Sequence, residues 1–357
     1  MAILIVQYCT KWNSIGDAAV ARACSASRTL HASGRQSESP AFGMEEPTMK
    51  KSTRRDFLKQ SAFATGALAA AGRLAIAEDA ASPVDMCIAK WEGDPDALTE
   101  LATRLTEEAI EAIGGMGRFV SQGDVVWVKP NIAWDHSPEY AANTNPDVVK
   151  TLVRLCFDAG ARQVKVGDNP CHQWERTYRN SGIADAAREA GADVIHVDRS
   201  RFRDMEIGGG RLQTHPVYPE IVESDLVINV PVAKHHGSTT VTLCMKNYMG
   251  VVENRGVFHQ DLPSCIRDIT AFMKPRISVL DAIRVLTANG PTGGNLDDVR
   301  RMDTVAAGTD VVALDAFGCE LLGHDPHTID TVTYGHEAGL GEIDFRDKLN
   351  VREMTIS

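Results

Sequence analysis

No C-x-x-C pair occurs anywhere in the 357 residues, so the spacing that marks zinc ribbons and ferredoxin-type clusters is missing. Positive charge is scarce: 37 Lys and Arg stand against 48 Asp and Glu, a formal net charge of −11. That balance excludes a non-specific nucleic-acid binder, which needs a basic footprint. Aromatic residues make up only 6%, and no apolar run approaches the roughly 20 residues that a membrane-spanning helix requires. A G-x-S-x-G elbow, an H-E-x-x-H motif, a P-loop and a G-x-G-x-x-G fingerprint are all missing, which disfavours the hydrolase and nucleotide-binding classes they mark. What is there, at 43% hydrophobic and 24% charged, is the composition of a globular chain. Its length suits one large α/β domain or two smaller ones.

The first quarter of the chain differs from the rest. Residues 52–59 read Ser-Thr-Arg-Arg-Asp-Phe-Leu-Lys, an Ala/Gly-rich run follows from Ser61 to Gly72, and Ala75-Ile76-Ala77 precedes Glu78. A basic segment, a short apolar segment and a small-x-small cleavage site, in that order, form an export signal. Arg54-Arg55 with Phe57, Leu58 and Lys59 resembles a twin-arginine signal. Residues 49–77, opened by Met49-Lys50-Lys51, are therefore expected to be a signal peptide read by the twin-arginine export machinery. The mature protein is expected in the periplasm or outside the cell. Residues 1–48 show no sustained period of 2 or 3.6, and are expected to be a disordered extension from a mis-called start.

Removing residues 1–77 leaves 27 basic and 43 acidic side chains, a formal net charge of −16 for residues 78–357. This export route carries folded proteins, often with a cofactor already inserted, which favours a bound divalent metal or organic cofactor of unknown identity. Six cysteines remain, Cys87, Cys156, Cys171, Cys244, Cys265 and Cys319. The even count permits disulfides in an exported protein, although Cys156 falls in an apolar helix pattern and reads as a packed thiol.

From Asp94 onward helix and strand patterns alternate. Leu98, Leu101, Ala102, Leu105, Ala109 and Ile113 recur at helical spacing before Gly114-Gly115. Residues 124–129, 163–167, 193–197, 225–230 and 276–280 are short Val/Ile-rich runs that suit buried strands. Asn145-Pro146-Asp147 supplies an N-cap, an N1 proline and an acidic first turn for a helix reaching Gly160. Further helices are expected around 183–190 and over 262–273. The expectation is a single α/β domain over 78–357, with a doubly wound, mostly parallel sheet and helices on both faces. A small inserted lobe is expected near 199–222, where the rhythm lapses around Gly208-Gly209-Gly210.

Open parallel sheets bind ligands beyond the carboxyl ends of their strands. The strands here run into Lys129-Pro130-Asn131, into Asp168-Asn169-Pro170, into Lys234-His235-His236-Gly237 and into Asp281. Lys246 and Asn247 interrupt an apolar run shortly after the histidines, and Asn289-Gly290-Pro-Thr-Gly-Gly294 is a glycine-rich loop that could cradle an anion. The candidate catalytic residues are His235, His236, Lys234 and Asp168, with a histidine as general acid–base near neutral pH. Candidate ligand-binding residues are Lys129, Asn131, Lys246, Asn247 and Asn289. Candidate metal ligands are His235, His236, His259 and Asp281. Plainer readings stand beside these: turn capping for Asp168 and Asn169, and solvated lysines at strand ends. Neighbouring residues on a strand face opposite sides, so the two histidines share a site only if the chain has already left the sheet, as Gly237 suggests.

Together these stretches carry a resemblance. Lys129-Pro-Asn131, Asn229-Val-Pro-Val-Ala-Lys234-His-His-Gly-Ser-Thr239, Leu243-Cys-Met-Lys246-Asn-Tyr-Met-Gly250, Leu280-Asp-Ala282 with Asn289-Gly-Pro291, and Ala307-Gly-Thr-Asp310 leading to Ala313-Leu-Asp315 resemble the uncharacterised family called domain of unknown function 362 over most of residues 120–345. Some members carry appended ferredoxin-type modules, which implies a redox setting; this chain lacks their cysteines and so the iron–sulfur cluster motif. A remoter likeness, to the N-terminal domain of nickel-dependent lactate racemase, is one of fold. Two functions follow. One is an exported enzyme on a small anionic molecule, and the alternative is a non-catalytic cofactor or metal carrier for an envelope redox partner.

Overall fold

The computed structural model describes residues 83–94 and 98–357. The expected upstream extension and signal peptide, over 1–77, lie outside the described residues. Twelve strands are described: β1 (Met86–Trp91), β2 (Val125–Pro130), β3 (Gln163–Val166), β4 (Asp193–Val194), β5 (Arg203–Glu206), β6 (Thr214–Val217), β7 (Leu226–Val230), β8 (Val232–His236), β9 (Thr240–Thr242), β10 (Ile277–Leu286), β11 (Val299–Gly308) and β12 (Val351–Ile356). Eight of them form one path in the order β12-β1-β11-β10-β7-β2-β3-β4, and β8 joins through β10 with β9 beyond it. Within the path only β11 runs against its neighbours, so the sheet is mostly parallel.

Strand parity divides the core in two. In β2, Val126 and Val128 pack on one face with the helices Leu98–Ala112, Pro146–Asp158 and Ile183–Glu189. Trp127 points to the other face, against the helices Leu262–Met273 and Val311–Leu321. Helices thus cover both faces, the layering of a doubly wound α/β domain. The Asn145 side chain accepts from Asp147 N–H at the start of its helix, as the Asn-Pro-Asp run predicts. Between residues 199 and 222 the excursion is a separate two-stranded hairpin, β5 with β6.

Several expectations need correction. The run 193–197 pairs only over Asp193–Val194, and β10 continues six residues past Leu280 to Leu286. Chain periodicity did not disclose β1, β8, β9, β11 or β12. The most consequential difference is at the histidine pair. Instead of lying in a loop, His235 and His236 both belong to β8, which pairs antiparallel with β9 (Lys234↔Thr242, His235↔Val241, His236↔Thr240). Their rings therefore leave opposite faces of the strand. The six cysteines of the described region are all free thiols, and all but Cys171 are buried.

Candidate functional site

Strands β2, β3 and β7 end side by side, and the polar residues at those ends interlock. Lys129, the fifth residue of β2, shares the face of Trp127 and is fully buried. Its ammonium lies 2.8 Å from Asp168 Oδ1, just beyond the end of β3, and donates to Asn247 Oδ1 at 3.2 Å and to the Pro130 carbonyl at 3.0 Å. The Asp168 carboxylate also accepts from Ile132 N–H (2.8 Å) and Asn169 N–H (3.0 Å), and the Tyr178 hydroxyl accepts from Asp168 N–H at 2.7 Å. Burial lowers the proton affinity of Lys129, while Asp168 draws it back up. Such a pair persists in the interior because its remaining donors and acceptors are satisfied.

Gly250 is required beside this pair. A Cβ at that position would stand 1.8 Å from Asp168 Oδ1 and 2.6 Å from Lys129 Nζ, closer than any side chain can come. The backbone itself packs on the ion pair.

Asparagines join this pair to a second lysine. Asn247 Oδ1 accepts from Asn131 Nδ2 at 3.1 Å as well as from Lys129, and Asn247 Nδ2 donates to Asn229 Oδ1 (2.9 Å) and the Lys129 carbonyl (3.2 Å). Asn131 Oδ1 in turn accepts from Lys234 Nζ at 3.0 Å, and Lys234 also donates to the Ala142 carbonyl. Lys234 is 1% exposed and its acceptors are uncharged oxygens. Burial first, and then the neighbouring Lys246 and Lys129, bring its pKa down to about 7.

Lys246 completes the cationic group. It sits on the one-turn helix Cys244–Asn247, whose N-terminus is held by Asp315: Cys244 N–H donates to Oδ1 at 2.6 Å and Met245 N–H to Oδ2 at 3.1 Å. The Lys246 ammonium contacts the Met249 sulfur at 3.7 Å, and burial brings its pKa down to about 8. His236, on the same face of β8 as Lys234, turns Nδ1 toward Ser238 N–H (3.0 Å) and Thr239 N–H (3.4 Å). An Nδ1 that accepts leaves the proton on Nε2 in the neutral ring. Burial, then Lys246 and Lys234, hold the His236 pKa down at about 3, so this ring is neutral at physiological pH. His259 is lowered too, by burial and then by Lys246 and Arg255.

Lys129, Asn131, Asp168, Lys234, Lys246 and Asn247 thus form one cluster, with His236 and His259 at its cationic side. Three other candidates lie elsewhere. His235 accepts from Gly290 N–H at 3.1 Å, so it serves the glycine-rich loop. Asn289 closes that loop by donating to Asp298 Oδ2 at 2.8 Å. Asp281 points to the opposite face of the sheet, where its carboxylate accepts from Asn145 N–H (2.7 Å) and Ile283 N–H (3.1 Å) and anchors the start of the 146–158 helix. His235, His236, His259 and Asp281 are therefore not assembled as a metal set. Among the described residues no three His, Cys, Asp or Glu side chains are grouped to hold a metal ion.

Sequence reasoning missed four contributors. Arg255 donates to the Met249 carbonyl (2.9 Å), to the Asn169 carbonyl and to Cys171 Sγ (3.1 Å). Cys171 is exposed and is held by Arg255 beside the Asn169 carbonyl, next to Asp168 of the cluster. Asn229 and Asp315 act by holding Asn247 and the Lys246 turn. Usable signals were the position of Cys171, three residues after Asp168 in a strand-end loop, and the presence of Asn229 and Asp315 in the motifs that carry the family resemblance.

Comparison with known proteins bears on this region. The family model described as Domain of unknown function (DUF362) matches residues 126–320, a span that holds every residue of the cluster. A thylakoid-associated protein of Synechocystis sp. is 29% identical over 241 residues, covering 65% of this chain and 73% of the relative. Among solved structures, a Thermotoga maritima protein matches at 13% identity and a TM-score of 0.39, covering 63% of this chain and 59% of that one. The lactate racemase apoprotein of Thermoanaerobacterium thermosaccharolyticum matches at 12% identity and a TM-score of 0.43, covering 66% and 56%. The chain accordingly spans less than two thirds of the length of either solved structure.

Proposed function

The chain belongs to the DUF362 family, and on that premise we propose that it is an exported protein that binds a small anionic molecule at the lysine cluster and acts on it by proton transfer. The observation that carries this reading is a pair of buried ammonium groups, Lys234 and Lys246, with no carboxylate against either among the described residues. Isolated buried charge is costly, and an anion supplied from solution removes that cost. In a chain of net charge −11, such a focus also draws anions to one place on the surface.

The residues divide the work. Lys246 and Lys234 hold the anion, while the Lys129–Asp168 pair and Asn131, Asn247 and Asn229 keep the ammonium groups in place. Lys234, with its pKa near 7, is the group poised to exchange a proton at neutral pH. His236 is a neutral Nε2–H donor rather than a titrating base. Thermal unfolding of the purified protein should shift upward with phosphate or with small carboxylates, and Lys246→Ala should weaken the apparent affinity at least tenfold. An unchanged melting temperature in wild type across these anions would refute the binding reading.

The export half of the proposal rests on Arg54-Arg55 and the segment behind it. Replacing both by lysine keeps the charge and removes the paired guanidinium groups. In the native host, Arg54→Lys with Arg55→Lys should leave the protein in the cytoplasm at precursor length. A normal exported fraction would sink this part without touching the other.

A further inference from the structure

The charged groups of the cluster are not matched one to one. Asp168 matches Lys129 one to one at 2.8 Å. Lys234 meets an amide oxygen and a carbonyl, and Lys246, 9% exposed, meets a thioether sulfur. When both are protonated, two positive charges are left over inside the fold.

A third polar group shares the deficit. Thr242 is 5% exposed, and its hydroxyl is buried without a hydrogen-bond partner. Leaving such a group unpaired costs about 1–3 kcal/mol. Thr242 stands directly opposite Lys234 in the β8–β9 ladder, so the two side chains leave the same face as neighbours. His236 is on that face too, and Lys246 lies close enough to lower the proton affinity of both Lys234 and His236. The unpartnered hydroxyl is therefore the cross-strand neighbour of Lys234, with His236 on the same face and Lys246 acting electrostatically on both.

We propose that Lys234, Lys246 and Thr242 form a subsite for a small tetrahedral dianion of the phosphate or phosphomonoester class. This deepens the anion reading above and rests on it. Two negative charges neutralise the two ammonium groups, and a third oxygen accepts from the Thr242 hydroxyl. A monoanion neutralises one ammonium only. A planar carboxylate has two oxygens, both taken by the lysines, and leaves the hydroxyl unpaired.

The test compares inorganic phosphate, malonate and formate by calorimetric titration and thermal shift, on wild type, Thr242→Val, Thr242→Ser and Lys246→Ala. Wild type should prefer phosphate to malonate and bind formate weakest. Thr242→Val keeps the shape and removes the orphaned hydroxyl, so its melting temperature without ligand should equal or exceed that of wild type. Its phosphate affinity should fall about tenfold, and Thr242→Ser should restore most of it. A lower ligand-free melting temperature in Thr242→Val, with phosphate affinity unchanged, would assign the hydroxyl a structural role and overturn the subsite. Equal affinity for formate and phosphate would overturn it as well. Loss of phosphate binding in Lys246→Ala with full binding in Thr242→Val would overturn this inference alone, whereas wild type that binds none of the three anions removes the anion reading beneath it.

Discussion

Lys234→Met should make the ligand-free protein more stable, by about 1–3 kcal/mol at pH 7, even though it removes two hydrogen bonds. A fall in pKa from 10.5 to about 7 costs the folded state on the order of 5 kcal/mol at neutral pH. Methionine keeps the length of the side chain and abolishes that cost. Against it stand the Asn131 and Ala142 oxygens, which lose a donor, at about 1 kcal/mol each. The charge term is the larger, as for other buried charges replaced by apolar side chains of similar volume.

The sign of the pH dependence provides a second reading of the same experiment. A base whose folded pKa is depressed binds fewer protons in the folded than in the unfolded chain between the two values. Stability therefore rises with pH across that window, here from about 7 to 10.5 for Lys234 and from about 8 to 10.5 for Lys246. Each lysine contributes up to about 1.4 kcal/mol per pH unit within its window. Urea unfolding of wild type should become harder from pH 7 to pH 9, and Lys234→Met should flatten that slope while losing the response to phosphate. A variant that is less stable than wild type and keeps the full slope would show that Lys234 is not the strained charge of the site.

Asp168→Ala should act in the opposite direction and as strongly, destabilising the fold by about 3–5 kcal/mol. It leaves the fully buried Lys129 ammonium without the carboxylate it pairs with, the circumstance in which breaking a buried pair is most costly. The Ile132 and Asn169 amides lose an acceptor as well. If the cost is the orphaned charge, then adding Lys129→Met to Asp168→Ala should recover part of it, with a coupling energy above about 1 kcal/mol in a double-mutant cycle. A loss below about 1 kcal/mol in Asp168→Ala, measured by urea unfolding, would mean that water replaces the carboxylate and that the pair is not sealed.

Local patterns were legible where one physical signal dominated. The Val/Ile-rich runs locate β2, β3 and β7 to within about a residue, because their apolar residues fill the buried positions, on both faces in β2 and β7 and on one face in β3. The Asn145 cap and Pro146 locate a helix start for an equally local reason. Strand β8 escaped because Lys234-His235-His236 carries polar side chains on both faces, so neither apolar continuity nor alternation survives. Asp281 was placed beyond the end of a readable strand, whereas β10 continues past it and its carboxylate is taken by the Asn145 amide.

By itself the sequence determined the composition class, the α/β alternation, the strand ends that carry lysine, asparagine and aspartate, and an export-type segment. Which of those groups meet was decided only by the tertiary structure. Lys129 reaches Asn247 across 118 positions and Lys234 reaches Asn131 across 103, and no local period encodes such distances. The difference between a lysine matched by Asp168 and two lysines left without a counter-charge arises from the same source. Charge balance in a folded interior depends on neighbours brought together by strand order and register, and a single strand read in isolation contains neither.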